Sequence, residues 1–317
     1  IALGLPAMAS AQDNSSAYKL SLDEAVAMAL KNNPGLQAAQ LTIEQQRALE
    51  KTAFDPDKAG IYTGKEEVKP NSEEAVQTVA GIGQTIEFPV TSVKRSKYFK
   101  QQTAVSKMDY ALTESELKRE VSAAYYNWGV VWKSMQFYKS LDSLYSGFYR
   151  AAALRHRTGE APELEMLTAR SKQEQIRLQY EKAGADFLDA RSMLQRWMNV
   201  QLTDSVVPVQ IKSALSPSFQ LNDSVENNPQ LKYQQSRVEL ATQEIKLRKS
   251  ELLPEISGEY AWQRVNGENG FYAWQVGVSI PLWFGAQHGR IQAARIGKEI
   301  EQKGLRDLQL AVQASQQ

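Results

Sequence analysis

A chain of 317 residues with 37 Lys and Arg against 36 Asp and Glu carries a formal net charge of +1. That gives nucleic acid no electrostatic reason to bind. There is no cysteine, which excludes disulfides and a lipid-anchored cysteine at a mature N-terminus.

The chain opens on an apolar run that ends Ala9-Ser10-Ala11, an A-x-A cleavage pattern. Residues 1–11 are therefore read as the remnant of a secretory signal peptide, and the protein as exported. No later run of 18 apolar residues exists, so no transmembrane helix is expected. A β-barrel stays open, because its strands give a much weaker hydropathy signal.

Leu20 to Val26 opens a short helix, with Ser21 as cap and Glu24 three residues on, a capping box. At Asn32-Asn33-Pro34-Gly35-Leu36 that helix breaks and a second starts over 35–54, with Asn as N-cap and Pro at the first helical position. Two short strands follow, 58–66 and 76–88. Val76, Ala80, Ile82, Ile86 and Phe88 share a face that Thr78 and Gln84 interrupt. The charged stretch 64–75 reads as an exposed loop.

From residue 91 to 156 there is no proline. Leu117, Val121, Ala124, Trp128, Val131, Met135, Tyr138, Asp142, Tyr145, Tyr149 and Ala152 fall at alternating spacings of 4 and 3. That is a coiled-coil period. A helix of ~60 residues would be ~90 Å long. Asp142 breaks the seam and reads as a partly wet position. The helix stops at Arg157-Thr158-Gly159-Glu160, where Gly159 suits the left-handed cap and Arg155 and Arg157 suit a helix C-terminus. Pro162 begins the next helix, which runs to about 198. Its seam is Met166, Ala169, Gln173, Ile176, Tyr180, Ala183, Phe187, Ala190, Leu194 and Trp197. Two heptad helices joined by so short a turn make an antiparallel helical hairpin, 91–198. Residues 200–220, rich in Pro, Ser and Thr, read as a linker.

Asn227-Asn228-Pro229-Gln230-Leu231 then repeats the earlier phrase. The order of features repeats too. Pro56 to Tyr62 and Pro254 to Tyr260 both read P-x-x-x-G-x-Y, and Gly83 to Ile86 answers Gly277 to Ile280, each followed by a proline. An internal duplication is expected. A helix should run from Pro229 to about 252, strands should occupy 254–264 and 271–284 around a hairpin turn Asn266-Gly267-Glu268-Asn269-Gly270, and a last helix should begin near 290. Ile256, Gly258, Tyr260 and Trp262 share one strand face, and Tyr272, Trp274, Val276, Val278, Ile280 and Leu282 another. Such alternation suits a soluble sheet with one buried face, the reading the strand pattern alone favours, or a barrel with lipid outside.

No catalytic constellation is present, so no enzyme and no cofactor is expected. The two histidines, His156 and His288, lie far apart in sequence, where a metal site wants clustered ligands. His156 reads as a surface residue at a helix end. Tyr125, Tyr126, Trp128 and Trp132 could form an aromatic groove, but the place of Trp128 on the seam favours core packing.

A signal peptide, a duplicated helix–strand–strand–helix module and a very long helical hairpin together resemble the TolC family of outer-membrane efflux proteins over residues 18–317. Gly81-Ile82-Gly83-Gln84 before Phe88-Pro89, and Tyr125-Tyr126-Asn127-Trp128, resemble its heavy-metal (CusC/CzcC-type) branch. The resemblance implies a mainly α fold with a small β part. Its two hairpins would join a trimeric, twelve-stranded outer-membrane barrel, and its helices would reach into the periplasm. It divides the chain into a first repeat, 12–206, with a hairpin near 58–88, a linker, 207–220, and a second repeat, 221–317, cut short after a hairpin near 254–284. The family pattern continues into a second helical hairpin, and the chain stops about 27 residues into it, so the sequence reads as a piece of a longer protein.

The implied function is the passive exit duct of a tripartite pump, carrying small molecules or metal cations. Its partners would be a homotrimer, a periplasmic adaptor, an inner-membrane pump of the RND type and outer-membrane lipid. Arg157, Thr158, Gly159 and Glu160 would form the adaptor-docking tip. Tyr260, Trp262, Tyr272, Trp274, Val276 and Val278 would face lipid. The alternatives are a periplasmic coiled-coil adaptor, which shares the long hairpin, and a soluble periplasmic enzyme, for which no site is in view.

Overall fold

In a computed structural model, residues 18–68, 75–203, 205–209, 227–281 and 285–314 are described. Local hydrogen bonds start the helices where the sequence places them. Strand β1 (Tyr18–Leu20) leads into α1 (Leu22–Asn32), where the Ser21 hydroxyl accepts from the Glu24 N–H and the Glu24 carboxylate accepts from the Ser21 N–H at 2.8 Å. The backbone N–H and then the hydroxyl of Ser21 hold the Glu24 carboxyl below its usual pKa. Helix α2 (Pro34–Glu50) starts under the Asn33 side chain, which accepts from the N–H groups of Gly35 and Leu36. It ends before residue 54 and tightens into a 3₁₀ turn, Lys51–Ala53. The second Asn-Asn-Pro acts in the same way. Asn228 accepts from the Gln230 N–H at 2.9 Å, and Pro229 opens α5 (Pro229–Ser250).

The chain divides into two compact units, Ile1–Gln37 with Thr113–Ser218, and Ala38–Leu112 with Phe219–Gln317. The first unit holds α1 and most of the helical hairpin, its first helix from residue 113 onward with its second. Helix α3 (Pro89–Arg157) has 69 residues, ~100 Å at 1.5 Å per residue, and α4 (Glu163–Met198) has 36. Pro162 is the N-cap of α4 and lies just outside it, because its ψ of 153° is extended. The heptad seam is the packed face. Leu117, Val121, Ala124, Trp128, Ala152, Ala169, Ala183, Ala190 and Leu194 are all buried. From Val131 to Tyr149 the seam is only half-buried, and the buried Asp142 Oδ1 has no hydrogen-bond partner among the described residues.

Trp128 is fully buried, stacked on Phe187 with ring centroids 6.2 Å apart and edge-on to Tyr125 at 6.1 Å. The aromatic cluster is therefore core, with Tyr126 alone of the four clearly exposed. Trp128→Ala is expected to lower stability by ~3–5 kcal/mol, the range for truncating a buried aromatic side chain. Val130→Ala, two residues on at an exposed position, should leave it nearly unchanged. Chemical unfolding followed by far-UV circular dichroism checks both.

Around this hairpin the chain closes on itself. The Asn33 side chain donates to the Trp197 carbonyl at 3.0 Å and Asn199 donates to the Asn32 carbonyl at 3.2 Å, joining the α1–α2 break to the end of α4. Asn199 ends α4 in the left-handed conformation, φ 50°. Strand β4 (Val206–Pro208) pairs in parallel with β1. The expected linker 207–220 therefore does not begin at 207: residues 207 and 208 are strand, held because β1 offers them a backbone ladder. The Leu20 carbonyl accepts from both the Val209 N–H and the Tyr125 hydroxyl, whose pKa burial raises. Residues 210–220 and the signal remnant 1–11 lie outside the described residues.

The second unit holds a four-stranded antiparallel sheet in the order β2 (Gly60–Val68), β3 (Ala75–Glu87), β5 (Glu255–Val265), β6 (Glu268–Ser279). The expected loop over 64–75 is corrected at its start. Residues 64–68 continue β2, paired residue by residue with β3, because charges on an exposed strand do not oppose the ladder. Residues 69–74 lie outside the described residues. Asn266 (φ 50°) and Gly267 (φ 87°) form the two-residue turn between β5 and β6, which lets β6 begin earlier than residue 271. A bulge at Gln263/Arg264 absorbs Gly270.

Beneath the sheet, α3 is tied to α5 by a 2.9 Å bond from the Thr91 hydroxyl to the Ser250 carbonyl and by Gln101 on Ser236. Helix α6 (Gly285–Ala314), which starts five residues before the expected 290, is tied to α5 by Gln234 and Arg237 on Glu301.

Candidate functional site

The register of the sheet sorts its side chains into two unlike faces. Directly opposed residues share a face, so the pairs Tyr260↔Trp274, Trp262↔Tyr272, Gly258↔Val276 and Ile256↔Val278 merge the two expected apolar sets into one. Strand β3 extends this face through Ile82, beside Tyr260, and Ile86, beside Ile256; β2 extends it through Ile61, beside Ile82. The face is bare. Trp274 is 77% exposed and Val276 65%, and Ile61, Tyr260, Trp262, Tyr272 and Val278 are exposed as well. A sheet buried on one side, as a soluble reading requires, is not what these residues form. Strands of 9–13 residues are long enough to cross a hydrocarbon layer when tilted.

The other face is mostly small and polar: Gly60, Tyr62 and Gly64 on β2, Gly81 and Gly83 on β3, Ser257, Glu259 and Gln263 on β5, Gln275 and Gly277 on β6, with apolar Val79 and Phe271 on either side of Gln263. The Tyr62 hydroxyl donates to the Glu259 carboxylate across β3. That reach depends on Gly81. A Cβ there would lie 2.5 Å from the Tyr62 ring, so only glycine lets the ring lie flat on the strand. Sequence reading had singled out the aromatic rows but neither Ile61 nor this tyrosine–glycine contact, which exists only once the strands are in register.

The turn between α3 and α4 is a complete Schellman closure. The Glu160 N–H donates to the Arg155 carbonyl at 2.8 Å and the Gly159 N–H to the His156 carbonyl at 3.0 Å, with Gly159 at φ 78°. The Thr158 hydroxyl turns back onto the Arg155 carbonyl at 3.0 Å. Arg157, Thr158, Gly159 and Glu160 are all exposed. Arg155 spans the turn to Glu165 at 2.7 Å, and His156 Nδ1 lies 3.1 Å from the Ala161 carbonyl oxygen, a hydrogen bond in the tautomer protonated there. Those two contacts leave Arg157 and Glu160 as the charges presented outward. Tyr145, Phe148, Pro162 and Leu164 line an apolar hollow on the neighbouring hairpin surface.

Among the described residues no helix is long and apolar enough to cross a membrane, and no three His, Cys, Asp or Glu side chains are grouped to hold a metal ion. The sequence matches no protein-family model and no curated protein sequence. The fold, in contrast, matches solved outer-membrane channels. OprN superposes with a TM-score of 0.74 at 17% identity, covering 98% of this chain and 79% of that one. The CmeC outer-membrane channel of Campylobacter jejuni gives 0.70 at 15%, covering 98% and 76%. CusC, described in terms of folding and transmembrane channel formation, gives 0.65 at 17%, covering 97% and 79%. At these identities the shared property is the fold, mainly helical with a smaller sheet, which the TolC-like resemblance implied.

Proposed function

We propose that this chain is one protomer of a trimeric outer-membrane exit duct of the TolC type, serving a tripartite efflux pump. The observation that carries the reading is the sheet: four strands, one face apolar and bare, and an open edge on β2 and on β6 among the described residues. In lipid an unpaired edge leaves backbone N–H and C=O groups unsatisfied, and four strands cannot close by themselves. Three copies joined β6 to β2 give twelve strands and no edge. The apolar face then meets lipid through Tyr260, Trp262, Tyr272, Trp274, Val276 and Val278, and the small polar face lines water.

The helical hairpin supports the same assembly. Opposite its packed seam α3 carries a second apolar stripe, Tyr126, Val130, Phe137 and Leu144, all exposed. An apolar stripe at heptad spacing is a seam for another helix, here of the adjacent protomer. The helices stand in the periplasm, and Arg157, Thr158, Gly159 and Glu160 meet a periplasmic adaptor that links the duct to an inner-membrane pump of the RND type. The cargo is exported small molecules or metal cations. The two Asn-Asn-Pro modules are copies of one duplicated unit. A coiled-coil adaptor, the competing reading, has no use for a bare apolar sheet face.

The absence of native cysteine makes the test direct. Cysteines placed at Gly64 on the β2 edge, where a Cβ meets no neighbouring atom, and at Gln275 on the β6 edge, both on the polar face, joined by a short bis-maleimide in isolated outer membranes, should give a covalent trimer. Monomer alone, in the outer membrane and with both cysteines reactive, would overturn the trimeric barrel.

A further inference from the structure

Resting on the membrane reading above, we infer that the helix-bearing end of the sheet is a docking collar for the anionic headgroups of a phospholipid leaflet. Three helix ends meet this end of the sheet, where Glu87, Glu255 and Ser279 are paired across the strands. Helix α3 leaves β3, α5 arrives at β5, and α6 follows β6. Their charges are mostly positive, although Asp55 and Asp57 precede β2 at the same end and Glu244 and Glu251 lie on or just after α5. Pro89 to Lys100 contains Lys94, Arg95, Lys97 and Lys100 and no carboxylate; Gly285 to Lys298 contains Arg290, Arg295 and Lys298 and no carboxylate. The last turns of α5 add Lys246, Arg248 and Lys249.

Helix stability does not account for these cations. Helices α3 and α6 start here without an acidic residue in the first turn, so their positive dipole ends add to the side-chain charge. Internal pairing absorbs only part of it. Arg95 binds Glu87 at 2.5 Å, and Arg248 binds Glu251 at 3.0 Å and Glu244 at 3.6 Å. Lys97, Lys100 and Lys249 are exposed and form no ion pair with a described residue. The surplus wants an external anion.

The position of the lysines says which anion. Along α3 the exposed stripe runs Val90, Val93, Lys97, Lys100, at spacings of 3, 4 and 3, directly after the exposed Ile86 of the apolar face. Apolar contact thus gives way to positive charge within two turns, ~10 Å of helix. That is the profile of a boundary between hydrocarbon and headgroup, where lysine stems lie along apolar surface and ammonium groups meet phosphate. Near the opposite end of the sheet the described charges are mixed: Lys65 with Glu66, and Arg264 with Glu268. The attraction is therefore confined to one leaflet, which also fixes the direction in which the sheet enters.

The test is flotation of the detergent-purified chain with vesicles of phosphatidylethanolamine alone and with added phosphatidylglycerol, at low and high salt. Phosphatidylglycerol should raise association at low salt by about tenfold or more, and high salt should remove the gain. In K97Q/K100Q/K249Q the gain should fall by at least about fivefold, with helix content and binding to the neutral vesicles unchanged. Equal binding to both lipids by the wild type, or an undiminished gain in the triple variant, would overturn the collar and leave the membrane reading standing. Failure to bind either vesicle would overturn both.

Discussion

Val276→Arg is expected to keep the protein out of the outer membrane. Val276 is 65% exposed in the middle of the apolar face, with Trp274 and Val278 on either side of it along β6. An arginine on the lipid side of a barrel strand costs ~2–4 kcal/mol near the bilayer midplane. In the proposed trimer three protomers would carry the same substitution, so the closed assembly would bear that cost three times over. Loss of most of the outer-membrane trimer, with the chain degraded or recovered from the periplasm, is the expected result. The control sits one residue away. Gln275 is also exposed but points to the polar face, so Gln275→Arg should insert and assemble nearly as the wild type does. Cell fractionation with a trimer blot reads both. Normal assembly of Val276→Arg would show that this face does not meet lipid.

The second large effect is expected at the α3–α4 turn, and it is functional. Gly159→Val places a β-branched side chain at φ 78°, a conformation that strains any residue with a Cβ. No atom lies within 4 Å of that Cβ, so the effect is backbone strain and not a clash. The strain falls on the two Schellman bonds that aim Arg157 and Glu160. Arg157→Glu instead keeps the turn and reverses one outward charge. Both variants should lose resistance to the exported substrate while expression and trimer level stay normal, because the seam that holds the hairpin is buried well away from the turn's exposed residues. Unchanged resistance in both, at normal trimer level, would reduce the turn to a connector.

The hairpin turn shows how far sequence reading reaches. Gly159 as a left-handed cap, Ser21 with Glu24, Asn33 before Pro34 and Asn266-Gly267 were all legible, since each acts through partners a few residues away. The seams of α3 and α4 were legible for a related reason: the helical repeat alone decides which side chains share a stripe. The amino-acid order thus determined element types, helix ends, the long hairpin and the alternating strands.

Which strands pair was a different matter. The β3–β5 ladder joins Glu87 to Glu255 and Ile82 to Tyr260, residues more than half the chain apart, and no local pattern specifies that register. Only with it in place do four rows of apolar side chains fall on one face, and only then is that face seen to be bare. Strand alternation is identical for a sheet that hides its apolar side in a core and one that offers it to lipid; the tertiary structure adds that, among the described residues, nothing covers most of this face. The same reason governs the continuation of β2 through the charged residues 64–68, the clasp of Asn33 on Trp197, and the bond of Tyr125 to Leu20. In each, the stabilising partner comes from a distant segment, so the outcome depends on where the chain brings that segment and not on the residues' own propensities.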